Sequence, residues 1–485
     1  MGLITSIDLL PLQHVEMLSQ IEEADQALME RFASKMEISR DLDRTLVSFQ
    51  ANRQEIGHRW CKYREGFSAS LIRYVIDRTG IVGGQILDPF AGSGTTLMIA
   101  AELGIDAVGI ELLPSSAEIV EVRKAVLSAD KATLAKQIRK RIIAQKWDKP
   151  GTRLPFAHLH ITAGAFPEEN ERQLERFLFD ASQERDPLLS RLLRFAAMCV
   201  LEEISFTRKD GQYLRWDQRS GRSLGKKVFD KGLIQTFDNA IIGKLSQIAD
   251  DIEGRKNEQP TLFPEEPETI SKFGTIELKA GSCLDILPTM EPNSISGLIT
   301  SPPYCNRYDY TRTYALELAM LGAGEEAVRA LRQTMLSCTV ENKDKTDLPE
   351  KFGEDVYRAS ANAFDSQRML GLVVRYLDMC KQDKTINNPG IARMVKNYFF
   401  ELSLLIFASA KVLRQGAPFV MVNDNVRYQG AHVPVDLILS DFAVQAGFDV
   451  EAIWALPIGK GNSSQQMGLH GRREIRKSVF VWRKR

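Results

Sequence analysis

The segment Gly84-Gln85-Ile86-Leu87-Asp88-Pro89-Phe90-Ala91-Gly92-Ser93-Gly94-Thr95-Thr96 constrains the fold more than any other part of the chain. A short apolar strand runs into a turn with two glycines, and a helix follows from about Leu97 to Leu103. Glycine lets the backbone approach a ligand closely, and a helix start offers unpaired N–H groups. Asp106-Ala107-Val108-Gly109-Ile110-Glu111 then reads as a second strand that ends in a carboxylate. An acid at a strand end, roughly 20 residues past such a turn, is placed to bind ribose hydroxyls. The turn is neither the GxGxxG fingerprint nor a P-loop, because no Gly-Lys-Ser/Thr follows. Asp88 is an acceptor, suited to an amino group or hydroxyl rather than a pyrophosphate. The unit predicts an α/β fold and a ligand with an adenosine-like end.

A second strand end carries different chemistry. Ser294 to Ile299 reads as a short buried strand, followed by Thr300-Ser301-Pro302-Pro303-Tyr304. Two prolines stop the strand and remove two backbone donors. The Ser301 hydroxyl and the carbonyl between Ser301 and Pro302 can each accept a hydrogen from an amino group, drawing its lone pair out of ring conjugation. Tyr304 offers a stacking face for a flat ring. The plain alternative is a strand followed by a Pro-Pro turn, so the weight rests on what accompanies it.

The remaining chain reads in order as follows. Residues 7 to 50 are expected to be helical, as a cap or an oligomer contact. Ser68 caps a helix running to about Arg78 and closed by Gly80, and Phe67 just before it suits either a pocket wall or ordinary core. Residues 115 to 271 read as a mostly helical insertion. Within it, the segment 207–222 interleaves Arg208, Lys209, Arg215 with Tyr213 and Trp216, a pattern that fits phosphate contact with base stacking, or a solvated loop paired to its own acids. Asn257 to Thr269 reads as an exposed linker. A strand restarts at Gly274–Gly281, with Ser282 and Asp285 at its mouth. A second insertion, 305 to 389, opens with Arg307 and Arg312 among aromatic residues, beside the proposed socket. A long amphipathic helix covers 391–413, a buried strand Pro418–Val422, a helix Val435–Gln445 and a strand Val450–Leu456. A polar loop containing Lys460 and Arg472 leads to the last strand, Ser478–Trp482. With no crossover helix between them, that last strand is expected to be antiparallel.

Bulk properties narrow the partners. The chain has 485 residues, enough for a large core with insertions, and 63 basic against 63 acidic residues, so a nucleic acid must be held by a local basic face. The six cysteines, 61, 199, 283, 305, 338 and 380, show no CxxC and no zinc spacing, which predicts structural thiols in a reducing cytoplasm and no metal. No signal peptide or run of 18 apolar residues is read in the sequence, so no membrane partner is expected.

The pair formed by DPFAGSGTT with Glu111 and by TSPPY about two hundred residues later resembles the S-adenosylmethionine-dependent DNA amino-methyltransferases of bacterial modification systems. The resemblance covers roughly 58–112 and 274–484. It implies a Rossmann-like methyltransferase sheet with an antiparallel last strand, helices on both faces and largely helical insertions. It further implies S-adenosyl-L-methionine as cofactor, held by Phe67, Asp88, Pro89, Phe90, Ala91, Gly92, Ser93, Gly94, Thr95 and Glu111, with Ser282 or Asp285 at the adenine end. Ser301, Pro302, Pro303 and Tyr304 would hold the target amino group of a base flipped out of double-stranded DNA. Serine before Pro-Pro is the version associated with cytosine N4, with adenine N6 left open. Carbon-5 transfer is disfavoured, since no cysteine follows a proline. The implied layout is an N-terminal helical segment 1–57, a catalytic domain of 58–114, 272–304 and 390–485, and insertions 115–271 and 305–389 that contact DNA. A cognate restriction endonuclease or other defence protein is the implied partner. The rivals are an RNA base amino-methyltransferase and a nucleic-acid-binding scaffold that kept the fold.

Overall fold

The computed structural model describes residues 11–457, apart from 44, 64, 211–212, 223–227 and 255–272, together with 464–466 and 472–485. Its centre is an eight-stranded sheet built from β1 (Met36–Ile38), β2 (Gln85–Asp88), β3 (Asp106–Glu111), β4 (Ile276–Ala280), β5 (Gly297–Thr300), β6 (Pro418–Asp424), β7 (Phe448–Ala455) and β8 (Lys477–Lys484). The spatial order is β1-β7-β8-β6-β5-β2-β3-β4. All neighbours run parallel except β8, which is antiparallel to both β7 and β6, as the missing crossover helix predicts.

Successive strand residues point to opposite faces, so a doubly covered strand must be apolar at every position. Ile86, Ile299 and Val420 enter one core, with Leu71, Val75 and Leu97 from the helices Ala69–Thr79 and Thr95–Glu102. Leu87, Leu298 and Phe419, each one residue away, enter the other core. That face is covered by Ile391–Val412 and Val435–Gln445, with Leu12–Phe32 packed outside them. The first of the covering helices behaves as its sequence predicts. Ser68 Oγ accepts the Leu71 N–H at 3.0 Å, and Gly80 closes the helix at φ 71°, where a side chain would be strained.

The N-terminal segment differs from expectation. After the helix Leu12–Phe32, the tripeptide Met36–Ile38 pairs with Ile453–Ala455 as the outermost strand. Three residues carry no pattern of their own; an unpaired sheet edge recruits them. The hairpin Val426–Tyr428 with Ala431–Val433 is a further element not expected from the sequence.

The first insertion supplies the helices Pro114–Leu127, Lys131–Ala144, Glu168–Ser182, Pro187–Ile204 and Phe237–Ile252, and these enclose a third core. Residues 305–389 divide between two cores. Tyr314 to Met335 pack with the first insertion, whereas Leu336 to Ile386 pack beneath Ile391–Val412.

Candidate active site

The C-terminal ends of β2 and β5 are adjacent, which is where open α/β sheets hold ligands. Asp88 ties the two ends together. Its Oδ1 accepts the Thr300 hydroxyl at 2.7 Å and the Phe90 N–H at 3.1 Å, and its Oδ2 accepts the Thr96 hydroxyl at 2.8 Å. Burial pushes this carboxyl up to about 6, against the pull of the three donors. Asp88 is not among the residues lining the adjoining cavity, so its side chain brackets the turn from behind. That departs from the expectation of direct ligand contact: a buried side chain turned to Phe90, Thr96 and Thr300 does not face the cavity.

A cavity opens in front of the glycine turn. Pro89, Phe90, Ala91, Gly92, Ser93 and Thr95 line it from the turn, Phe67 and Ser282 from either side, and Glu111 from the end of β3. Gly94 lies behind, as the left-handed cap of the helix Thr95–Glu102; a Cβ there would stand 2.7 Å from Val120. Glu111 accepts the Gly92 N–H and the Leu113 N–H, both at 2.7 Å, and burial pushes its carboxyl up to about 7. Ser282 accepts the Leu284 N–H as a cap and sits at the cavity wall. Asp285 turns outward to Lys351 at 2.6 Å and does not line the cavity, which removes it from the ligand set. Three residues past the cap, the helix Cys283–Ile286 carries its side chain to the surface.

A second cavity lies on the other side of Ser301. Pro302 and Tyr304 line it, whereas Pro303 lines the first cavity, so the Pro-Pro turn divides the two spaces. Ser301, Glu65, Gly66, Phe67 and Tyr310 belong to both. Ser301 Oγ is 3.1 Å from the Val422 carbonyl and 3.2 Å from the Tyr304 hydroxyl. A carbonyl only accepts, so a Ser301 proton given to Val422 leaves lone pairs on Oγ for an incoming amino group. Behind Tyr304, Lys477 Nζ lies 5.3 Å from the ring centre and 3.4 Å from Asp424, its partner across the β8–β6 ladder. Burial alone would lower the lysine, but Asp424 and Tyr304 outweigh it and hold the ammonium raised.

Sequence reasoning missed Tyr63, Glu65, Asp424 and Lys477, whereas Tyr308 and Tyr310 belong to the aromatic opening of the second insertion expected beside the socket. Glu65 and Tyr63 lie two and four residues before Phe67, and the density of polar and aromatic residues ahead of a helix start is the available signal. Lys477 had none, because its partner is set by strand pairing.

The expected nucleic-acid contacts separate under the structure. Residues Thr207–Asp210 and Tyr213–Trp216 form a hairpin whose alternation sorts their side chains. Arg208 and Arg215 oppose each other on the outer face, 5.5 and 4.2 Å from the Phe229 ring. Lys209 points inward, its Nζ 2.6 Å from Glu317 and 4.2 Å from the Tyr314 ring centre, and Trp216 is buried beneath Arg222 at 3.8 Å. Neither inward side chain is offered to a phosphate or a base, which corrects the expectation for both. Tyr213 pairs with Asp210 in the hairpin ladder, and Arg472 lies in the short strand Arg472–Glu474. Arg307, at φ 66°, follows the second cavity's Asn306, and Arg312 is paired with Asp309 and Glu341. Lys460 lies outside the described residues. Among the described residues no cluster of His, Cys, Asp or Glu is arranged to hold a metal, and no helix is long and apolar enough to cross a membrane.

Comparison with known proteins agrees with this geometry. The profile of the DNA methylase family matches residues 22–122. The chain is 45% identical over 472 residues to the Type II methyltransferase M.AvaI of Nostoc sp. and of Anabaena variabilis, covering 96% of this chain and 94% of each relative. It is 38% identical over 493 residues to the Type II methyltransferase M.BsoBI of Geobacillus stearothermophilus, covering 97% and 94%. Two strand-end motifs set side by side and near-full-length relatives lead to one statement: the chain belongs to the DNA amino-methyltransferase family.

Proposed function

We propose that this chain transfers a methyl group from S-adenosyl-L-methionine to the exocyclic amino group of a base flipped out of double-stranded DNA, with cytosine N4 as the target. The observation that carries this reading is the shared wall: two cavities meet at Ser301, Gly66 and Phe67, so a donor in one faces an acceptor in the other. The first cavity suits the cofactor. Glu111 retains lone pairs for ribose hydroxyls, the turn backbone comes close at Gly92, and Phe67 and Phe90 supply aromatic walls. When bound, the cofactor supplies an electrophilic methyl group. The chain's own work is to exclude water, to orient the amino nitrogen through Ser301 and to stack the ring beside Tyr304.

Serine before Pro-Pro supports cytosine N4. Arg208, Arg215 and Arg307 supply cationic side chains for the DNA backbone, and the similarity to Type II methyltransferases supports a role beside a restriction endonuclease in the cytoplasm. The decisive experiment is modified-base sequencing of DNA from cells expressing the chain, paired with labelled-methyl transfer to duplex DNA and to RNA. N4-methylcytosine at one duplex site is the expected result; N6-methyladenine replaces the target base, and transfer to RNA alone overturns the substrate. Ser301→Ala is expected to bind cofactor within about threefold of wild type and to lose on the order of 100-fold in transfer. Unchanged turnover in that variant would refute the role given to the socket.

A further inference from the structure

Methylation of an amino group leaves a proton to be disposed of, and the junction between the cavities holds a group suited to take it. Among the described residues, Glu65 is the one carboxylate that lines both cavities. Glu111 belongs to the first alone, and Asp424 to the second alone, where it faces Lys477. Glu65 is held in place by phenols: Oε1 accepts the Tyr308 hydroxyl and Oε2 accepts the Tyr314 hydroxyl. Each carboxylate oxygen has two lone pairs, so these bonds leave one on each. Tyr314 is itself fixed, stacked on Tyr63 at 5.5 Å and covered by Lys209, while Tyr310 tilts against Tyr308 at 4.7 Å.

We propose that Glu65 is the base that accepts the proton released from the target amino group, an inference that rests on the methyl-transfer reading above. The amino nitrogen forms a bond to the methyl carbon as the carbon–sulfur bond breaks, its electron pair staying on sulfur. The nitrogen then carries the ring carbon, the new methyl, two hydrogens and a positive charge. Transfer of one proton to the Glu65 carboxylate gives the neutral methylamino product and a carboxylic acid. Opening of the second cavity on DNA release returns that proton to water. The phenols facing Glu65, those of Tyr63, Tyr308, Tyr310 and Tyr314, are all raised above the ordinary tyrosine range, by burial first and by Glu65 next or after another nearby carboxylate or thiol. They therefore stay protonated at neutral pH, and those of Tyr308 and Tyr314 donate to the carboxylate. The same negative charge favours a cationic sulfonium over a neutral thioether in the first cavity.

The test is single-turnover transfer to duplex DNA with the donor saturating, measured across pH 5 to 9, together with equilibrium binding of S-adenosylmethionine and of its demethylated thioether. Wild type is expected to slow on acidification, and Glu65→Gln to lose about 100-fold in rate together with that acid limb. Glu65→Gln should also narrow the binding preference for the sulfonium. Tyr308→Phe removes one of the two donors that fix the carboxylate and should slow transfer by about tenfold while S-adenosylmethionine binding stays within about threefold of wild type, which provides a test in a second variant should the first fold poorly. A Glu65→Gln rate within threefold of wild type, an acid limb that persists in it, or an unchanged transfer rate in Tyr308→Phe would each overturn the assignment. Failure of wild type to methylate any DNA would instead remove the methyl-transfer reading itself.

Discussion

Glu111 and Asp88 show what burial does to a carboxyl group. Both are raised, Glu111 to about 7 and Asp88 to about 6, because desolvation outweighs the donors around them. A raised acid binds more protons folded than unfolded between its unfolded and folded values. Its stabilising contribution is therefore complete below about pH 4 and is lost as pH rises through about 7. Melting of the ligand-free chain from pH 4 to 8 should show that component declining, and Glu111→Gln should flatten its upper part. In the proposed reading cofactor binding has the opposite sign, since ribose hydroxyls would donate to the ionised form of Glu111. Affinity is expected to strengthen by about tenfold between pH 6 and 8, measured by calorimetry, and to become level in Glu111→Gln. A wild-type affinity independent of pH would remove Glu111 from the binding set.

Elements divide by how much of their fate is local. The helix Val435–Gln445 begins and ends where its periodicity places it, and Ser68 and Gly80 bound the helix Ala69–Thr79, because caps and apolar spacing act within a few residues. The turn at Gly92 was legible for the same reason: its glycines and strand ends are contiguous. Met36–Ile38 was not, since only the free edge of β7 makes it a strand. Lys209 and Trp216 were read as outward because composition does not reveal strand register, and a shift of one position exchanges the faces. The hairpin now supports a sharper expectation. Arg208→Ala and Arg215→Ala together should weaken DNA binding uniformly across sequences and lower the slope of log affinity against log salt by up to about 2. Titrations between 50 and 200 mM salt, on specific and unrelated duplexes, would check this, and an unchanged slope would take the hairpin off the DNA.

At the scale of the molecule, the insertions and the catalytic sheet share cores rather than meeting as separate bodies. Lys209 from the first insertion and Glu317 from the second form an ion pair in which both side chains are about 5% exposed. A buried charge left without its partner is costly, so Lys209→Ala is expected to destabilise the chain by about 3–5 kcal/mol. Lys209→Met combined with Glu317→Leu should recover most of that loss in denaturant unfolding. A double variant no more stable than the single would show that the pair contributes something other than charge balance.

The bridge from Asp88 to Thr300 has a consequence for how such a chain can diversify. It fastens two neighbouring strands, whose separation of about 4.8 Å is a property of backbone pairing. In the proposed reaction the span the methyl group crosses is thus written into the sheet, out of reach of substitutions in the outlying helices. In that reading the outlying helices are free to change while the chemistry at their centre stays in tune.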